Sequence, residues 1–196
     1  MDHICLISQF SHSGCSSRKS CTPASLFSLV TPHGNLFAIA DNTYLYALQF
    51  EESTTFIKTL TTLRQHPEIN LCLRKEPSIL EPLIRTEIED YFDGTLTHFT
   101  IPYKFLGTPF QQRVWKALTT ISVGTTATYQ SIARAIGTLK GARAVGNANN
   151  RNPISIIIPC HRVIASDNRL AGYAGGIDKK KLLLIHEGHR GKTFTL

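Results

Sequence analysis

The stretch from Asp93-Gly94 to Gly107-Thr108-Pro109 constrains the fold of this chain more than any other feature. Glycine and proline punctuate it, and the patterning differs on its two sides. Before it, residues 35–40 and 43–50 are rich in apolar, aromatic and β-branched side chains and are separated by Asp41-Asn42, so they read as a hairpin entered through the turn Thr31-Pro32-His33-Gly34. Two segments follow with apolar residues at helical spacing: residues 54–66, with Phe56, Ile57, Leu60 and Leu63, and residues 78–92, with Leu80, Leu83, Ile84, Ile88 and Tyr91. After it come helical segments only, up to an apolar run at residue 154. The break therefore predicts two units, residues 1–106 and 107–196. Residues 1–30, dominated by Ser, Cys and Thr, read as a poorly defined leader.

Charge divides at the same place. Residues 1–106 carry 8 basic and 11 acidic side chains, a net −3, and residues 107–196 carry 13 and 3, a net +10. A basic half suits a polyanion, because Lys and Arg release the counterions condensed on phosphate backbones; on charge alone a solubilising surface explains it equally well. With 196 residues, 42% hydrophobic and 18% charged, the chain reads as a soluble globular protein. It has no run of roughly 18 apolar residues for a membrane helix and no apolar core of a signal peptide, so it is expected to stay where it is made.

Five cysteines, Cys5, Cys15, Cys21, Cys72 and Cys160, make an odd set without CxxC spacing, which excludes a full disulfide framework and favours a reducing, intracellular setting. His3, Cys5, His12, Cys15, Cys21 and His33 crowd the N-terminal stretch and leave a zinc site conceivable there, but their spacing is irregular and no metal ligand is assigned.

In the second half Pro109 opens a helix with Phe110, Val114, Trp115 and Leu118. Residues 129–136 and 141–150 then form two short helical segments around Gly137–Lys140, which is either a helix-turn-helix or a pair of ordinary core helices. On the second, Val145 and Ala148 share a packing face, and Arg143, Asn147 and Asn150 share the opposite one. Its small residues, Gly141, Ala142, Ala144, Gly146 and Ala148, cost helix propensity but permit close approach to a ligand.

Asn152-Pro153 ends that region. Residues 154–158 are apolar and β-branched, as a buried strand should be, and Pro159-Cys160-His161-Arg162-Val163 follow at once. A thiol at a strand end beside an imidazole and a guanidinium has neighbours that favour thiolate, although a structural cysteine remains an alternative. A zinc nucleobase deaminase is excluded, since Val163 stands where a second thiolate ligand is needed. A papain-like protease fits poorly, because its cysteine opens a helix. Glu187, one of three acidic residues after Gly107, is a candidate to orient His161, or a partner for a surface lysine; Tyr173 in the Gly172-Tyr173-Ala174-Gly175-Gly176 loop is a pocket residue or core.

This ordered set, from Thr108-Pro109-Phe110-Gln111 through Tyr129, Arg143, Asn152-Pro153 and Ile156-Ile157-Ile158-Pro159-Cys160-His161-Arg162-Val163 to Gly172-Tyr173 and His186-Glu187-Gly188, resembles the O6-alkylguanine-DNA alkyltransferases, also called methylated-DNA-protein-cysteine methyltransferases. The resemblance implies an α/β N-terminal domain with a ribonuclease H-like sheet and helices, and a mostly α C-terminal winged helix-turn-helix domain. It implies DNA repair by direct reversal: a single, irreversible transfer of a methyl or alkyl group from O6 of guanine, or O4 of thymine, to Cys160. His161 would act as base through a water, Glu187 would hold the imidazole, Asn152 would brace the turn, and Tyr129 would give a proton to the departing guanine. Arg143 would fill the stack vacated by the flipped nucleotide, Tyr173 would line the pocket, and Ala142, Asn149 and Arg151 would meet DNA. The backbone near Val163 and the 166–176 loop would read the base edge. No cofactor is implied, and the partner is double-stranded DNA met by a monomer in the cytoplasm, or in the nucleus of a eukaryote. Two positions depart from the family pattern: Asn149 and Asn150 make the second helix end polar, and Ala174 replaces a hydroxyl residue. The rival readings are an alkylation sensor that flips the base without transfer, and a winged-helix regulator indifferent to Cys160→Ala.

Overall fold

A computed structural model describes residues 21–69 and 71–189. The N-terminal half is built on a four-stranded sheet: β1 (Thr22–Leu29), β2 (Leu36–Ala40), β3 (Leu45–Phe50) and β4 (Leu71–Arg74), in the order β3-β2-β1-β4. The expected hairpin is β2–β3, antiparallel, and β1 pairs antiparallel with β2 and parallel with β4. Two helices, α1 (Phe56–Gln65) and α2 (Glu81–Phe92), lie within the segments expected to be helical.

Every residue of β2 and β3 is buried, because both faces of the sheet are covered. Phe37 and Ile39 point into a cluster with Phe56, Leu60 and Leu63 of α1. Their neighbours Leu36, Ala38 and Ala40 join the larger core with Ile84, Ile88 and Tyr91 of α2. That core also takes Val114, Trp115 and Leu118 from the second half, on α3 (Pro109–Leu118). Thr108 and Gln111 form a reciprocal capping box with Pro109 at the first helical position, which fixes where α3 starts. Gly107 lies so near Trp115 that a Cβ there would come within 2.5 Å of the ring.

Short strands β5 (Ala127–Thr128) and β6 (Val163–Ile164) pair in parallel. They flank α4 (Tyr129–Ala135) and α5 (Ala142–Asn150), and α6 (Ile177–His186) closes the described chain. Gly137 ends α4 in the left-handed region, φ 75°, which a residue with a Cβ rarely adopts. The Trp115 indole donates to the Ala148 carbonyl at 2.9 Å, tying α3 to α5.

Four expectations change. Residues 22–29 are not leader but the strand β1; Pro23 and two serines weaken its alternation, yet tertiary pairing on both edges sets its conformation, and Pro23 lies outside the stretch that pairs with β2. Residues 154–158 are not a strand but buried turns, since the Asn152 side chain and Leu48 of β3 take up their polar groups and leave only a bridge between Leu48 and Ile154. Cys160 accordingly opens a 3₁₀ turn, Cys160–Arg162, and closes no strand. Cys21 and Cys72 are joined in a disulfide across β1 and β4, where adjacent strands bring them to a Cα separation of 5.9 Å. Of the crowded N-terminal ligand candidates, His3, Cys5, His12 and Cys15 lie outside the described residues, and among the described ones no cluster could hold a metal ion.

Candidate functional site

The segment between α5 and the 3₁₀ turn is organised by one side chain. Asn152 is buried, and its Nδ2 lies 3.2 Å from the Ile154 carbonyl, 2.8 Å from that of Ile158 and 3.0 Å from Cys160 Sγ. Its Oδ1 accepts from the Ile154 amide at 3.0 Å. Within this tight loop Ile156 adopts φ 72°, a left-handed conformation unfavourable for a β-branched residue, held by the surrounding bonds. The loop thus carries local strain next to a free thiol, as functional sites often do.

Asn149, expected to meet DNA, is instead 1% exposed and donates to the Cys160 carbonyl at 3.2 Å. The last turn of α5 aims it inward, where its amide fixes the backbone of the cysteine.

Beside Cys160 stands a buried charge cluster. His161 is fully buried, and its Nε2 is 2.9 Å from Glu187 Oε1. Glu187 also accepts from Arg162 Nε at 2.8 Å, from Arg162 Nη2 at 2.7 Å, and from the Tyr91 hydroxyl at 2.9 Å. Burial alone would raise the Glu187 carboxyl, but the hydrogen bonds from His161 and Arg162 and the Arg162 charge outweigh it and hold the group well below the usual carboxylate range. Burial lowers His161 more than Glu187 raises it, so the imidazole is neutral at neutral pH. Facing an ionised carboxylate, Nε2 carries the proton. The lone pair then sits on Nδ1, which is buried without a hydrogen-bond partner among the described residues. An imidazole oriented by a carboxylate, with its other nitrogen uncommitted, is the arrangement a general base requires.

Burial pushes the Cys160 thiol up, opposed by the Asn152 bond and the positive charge of Lys180. Lys180 is fully buried on α6, and its ammonium donates to the Val163 carbonyl at 2.6 Å and the Ala171 carbonyl at 3.0 Å, lying 5.9 Å over the Tyr129 ring. Desolvation brings it down to about 8. The Tyr129 hydroxyl donates to the Ala171 carbonyl at 2.6 Å, and burial, with the thiol beside it, pushes this phenol up to about 12. Tyr173 is buried in the same core as Cys160, and burial likewise raises it.

The structure therefore brings Cys160, His161, Asn152, Glu187, Tyr129 and Tyr173 into one region. Arg143 and Arg151 are exposed at opposite ends of α5, and Ala142 is half-buried beside Arg143. Asn147 is exposed while Val145 and Ala148 are buried, so α5 has the two faces its spacing predicts. Sequence reasoning missed Lys180, hidden in the run Lys179-Lys180-Lys181, and Tyr91, ninety-six positions from Glu187. It gave Arg162 to the thiol, whereas the guanidinium is spent on Glu187. Helical periodicity would have found Lys180, three positions before Leu183 on the buried face of α6.

Residues 109–189 match the family model described as 6-O-methylguanine DNA methyltransferase, DNA binding domain. The chain is 40% identical over 164 residues to the methylated-DNA–protein-cysteine methyltransferase of Shigella flexneri, covering 82% of this chain and 94% of that protein. It is 51% identical over 105 residues to the protein of the same name from Mycobacterium leprae, spanning 54% of this chain and 64% of that relative's length. Among solved structures, Mycobacterium tuberculosis OGT in complex with DNA superposes with a TM-score of 0.71 at 38% identity, covering 86% of this chain and 94% of that one.

Proposed function

The chain belongs to the methylated-DNA–protein-cysteine methyltransferase family, and from that premise we propose that it repairs DNA by moving an alkyl group from O6 of guanine onto Cys160. The observation that carries this reading is the pairing of Cys160 Sγ, held 3.0 Å from Asn152 Nδ2, with the adjoining His161–Glu187 pair at 2.9 Å.

In the transfer, the Cys160 proton passes to His161 Nδ1 through a water, and the thiolate attacks the carbon bound to O6. The carbon–sulfur bond forms as the carbon–oxygen bond breaks, the electron pair stays with the guanine, Tyr129 gives the guanine a proton, and the proton held by His161 passes through water to the phenolate. Asn152 stabilises the thiolate with a charge-assisted bond, and Lys180 adds a nearby positive charge. The thioether has no route back, so each molecule reacts once. The same chemistry extends to O4-alkylthymine.

A buried thiol cannot reach a stacked base, so the nucleotide rotates out of the duplex at a cost of a few kcal/mol. We read α4, its glycine turn and α5 as a helix-turn-helix with β5 and β6 beside it, the sheet of the first half as ribonuclease H-like, and residues 1–106 and 107–196 as the two domains. Arg143, exposed on α5, fills the vacated stack; Ala142 lets the minor groove approach, and Arg151 meets backbone phosphate. The net +10 of the second half, together with the exposed Arg143 and Arg151 at opposite ends of α5, makes the surface that meets the DNA backbone. We also read the chain as a monomer acting in the cytoplasm without metal or cofactor. No helix among the described residues is long and apolar enough to cross a membrane.

Mixing the protein with excess O6-methylguanine duplex tests the reading by stoichiometry. Repair of one lesion per molecule, then none, is expected. Continued turnover, or no repair, sinks it.

A further inference from the structure

We propose that Gln49, on β3 of the N-terminal half, is a positioning residue for Cys160 that acts through the backbone carbonyl of Asn152. This rests on the reading of Cys160 as alkyl acceptor.

Gln49 is 1% exposed. Its Nε2 donates to the Asn152 carbonyl at 3.1 Å, across 103 positions of sequence, and to Thr55 Oγ1 at 3.0 Å. Its neighbour on the strand fixes the next residues of the loop: the Leu48 amide donates to the Pro153 carbonyl at 2.9 Å, and the Ser155 amide donates to the Leu48 carbonyl at 2.6 Å. Two successive residues of β3 therefore hold the segment 152–155 at three points. In a strand otherwise made of Leu, Tyr, Ala and Phe, Gln49 keeps its Nε2 paired while its Oε1 is buried without a hydrogen-bond partner among the described residues, so the side chain stays inside at a cost that its donated bonds offset only in part.

That bond bears on chemistry because Asn152 is shared among several tasks. Its side chain spans two carbonyls and the sulfur, with Cys160 Sγ the farthest along the loop. Its backbone must be fixed from outside for Nδ2 to keep its 3.0 Å distance to Sγ, and Gln49 is the side chain that fixes the carbonyl. A donor 3.0 Å from sulfur favours the charged form of the thiol. Loosening Asn152 weakens this donor without removing it. The first half of the chain thus reaches into the reactive loop through a side chain, in addition to sharing its core.

The test is single-turnover transfer from O6-methylguanine duplex at saturating DNA, followed across pH, for wild type, Gln49→Leu, Gln49→Met and the control Thr55→Val. The two Gln49 variants keep the volume and lose the donor; Thr55→Val removes the other partner of the same nitrogen. Both Gln49 variants are expected to react roughly three- to tenfold more slowly at neutral pH, with the midpoint of the pH profile moved upward and duplex affinity unchanged. Thr55→Val keeps the wild-type midpoint. A folded Gln49 variant with the wild-type midpoint overturns the proposal, even if its stability is lower. Should neither variant fold, the side-chain amide resonances of Gln49 in wild type decide: a shift when Cys160 becomes alkylated supports the coupling, and unchanged resonances overturn it. A wild type that transfers nothing sinks the reading of Cys160 itself, a separate outcome.

Discussion

His161 and Glu187 share a hydrogen bond of 2.9 Å in which both side chains are almost wholly withdrawn from solvent. The carboxylate would be costly there alone, and Arg162, closing on it with two bonds, makes it stable. The pair is therefore both a stability element and the orienter of the imidazole.

Its dependence on pH follows from the two directions of shift. The unfolded chain binds a proton at His161 near 6.5, while the folded one resists it, so stability falls as pH drops below that value. Glu187 is held below its ordinary 4.5, so its contribution is present above 4.5 and lost as pH falls further. Urea unfolding should show two successive declines on the acid side. Glu187→Ala leaves Arg162 buried without its carboxylate and should cost about 3–5 kcal/mol at neutral pH, with the lower decline abolished. A variant as stable as wild type would contradict this.

Asn152→Ala strips the Ile154 amide, two carbonyls and the thiol of a partner at once. A loss of about 2–4 kcal/mol in chemical unfolding is expected, since each buried group left unpaired costs about 1–3 kcal/mol and relaxation recovers part. In whatever protein folds, the thiol should titrate higher than in wild type. Wild-type thiol reactivity would show that the bond to sulfur does nothing.

Lys180→Met keeps the length of the side chain and removes the charge near Cys160. The thiol should move upward, and transfer at neutral pH should slow roughly tenfold. In wild type the lysine loses its proton at about 8, so the rate should stop rising above that pH, and in the variant it should keep rising. Identical profiles for the two proteins would remove Lys180 from the chemistry.

Arg143 and Arg151 are exposed, so replacing either by Ala should leave the melting temperature within about 1 °C, as surface changes usually do. Arg151→Ala should weaken duplex binding, with the salt slope reduced by about one, and leave the saturated rate intact. Arg143→Ala should also slow the saturated rate, because the extruded state loses its filler. Binding measured across salt and single-turnover rates separate the two, and equal effects on both would remove their division of labour.

Much of this was legible in the chain. Apolar and β-branched runs separated by Asp41-Asn42 marked β2 and β3, and apolar residues at helical spacing marked α1, α2, α3 and the α4–α5 pair, because in these segments burial alone sets the pattern. The order of Asn152, Cys160, His161 and Glu187 was legible through family resemblance. Where burial was satisfied by other means, pattern failed. Residues 154–158 read as a strand because they are β-branched, yet the Asn152 side chain supplies the bonds that a neighbouring strand would have given. The resemblance sends Asn149 to DNA, yet its amide is turned inward onto the Cys160 carbonyl. Lys180 stands unmarked between Lys179 and Lys181, yet helix geometry turns it inward onto two carbonyls. For Asn149 and Lys180 the deciding partner is a backbone carbonyl, and for residues 154–158 it is a neighbouring side chain that bonds back onto the loop, none of which a pattern records.

Transfer to Cys160 is tested most directly by peptide mapping with mass spectrometry after incubation with duplex containing O6-methylguanine. The peptide carrying Cys160 should gain one methyl group, no other peptide should, and Cys160→Ala should gain none while still binding the duplex. A methyl group on another residue, or an unmodified Cys160 peptide after the lesion has been repaired, would contradict the assignment of Cys160 as acceptor.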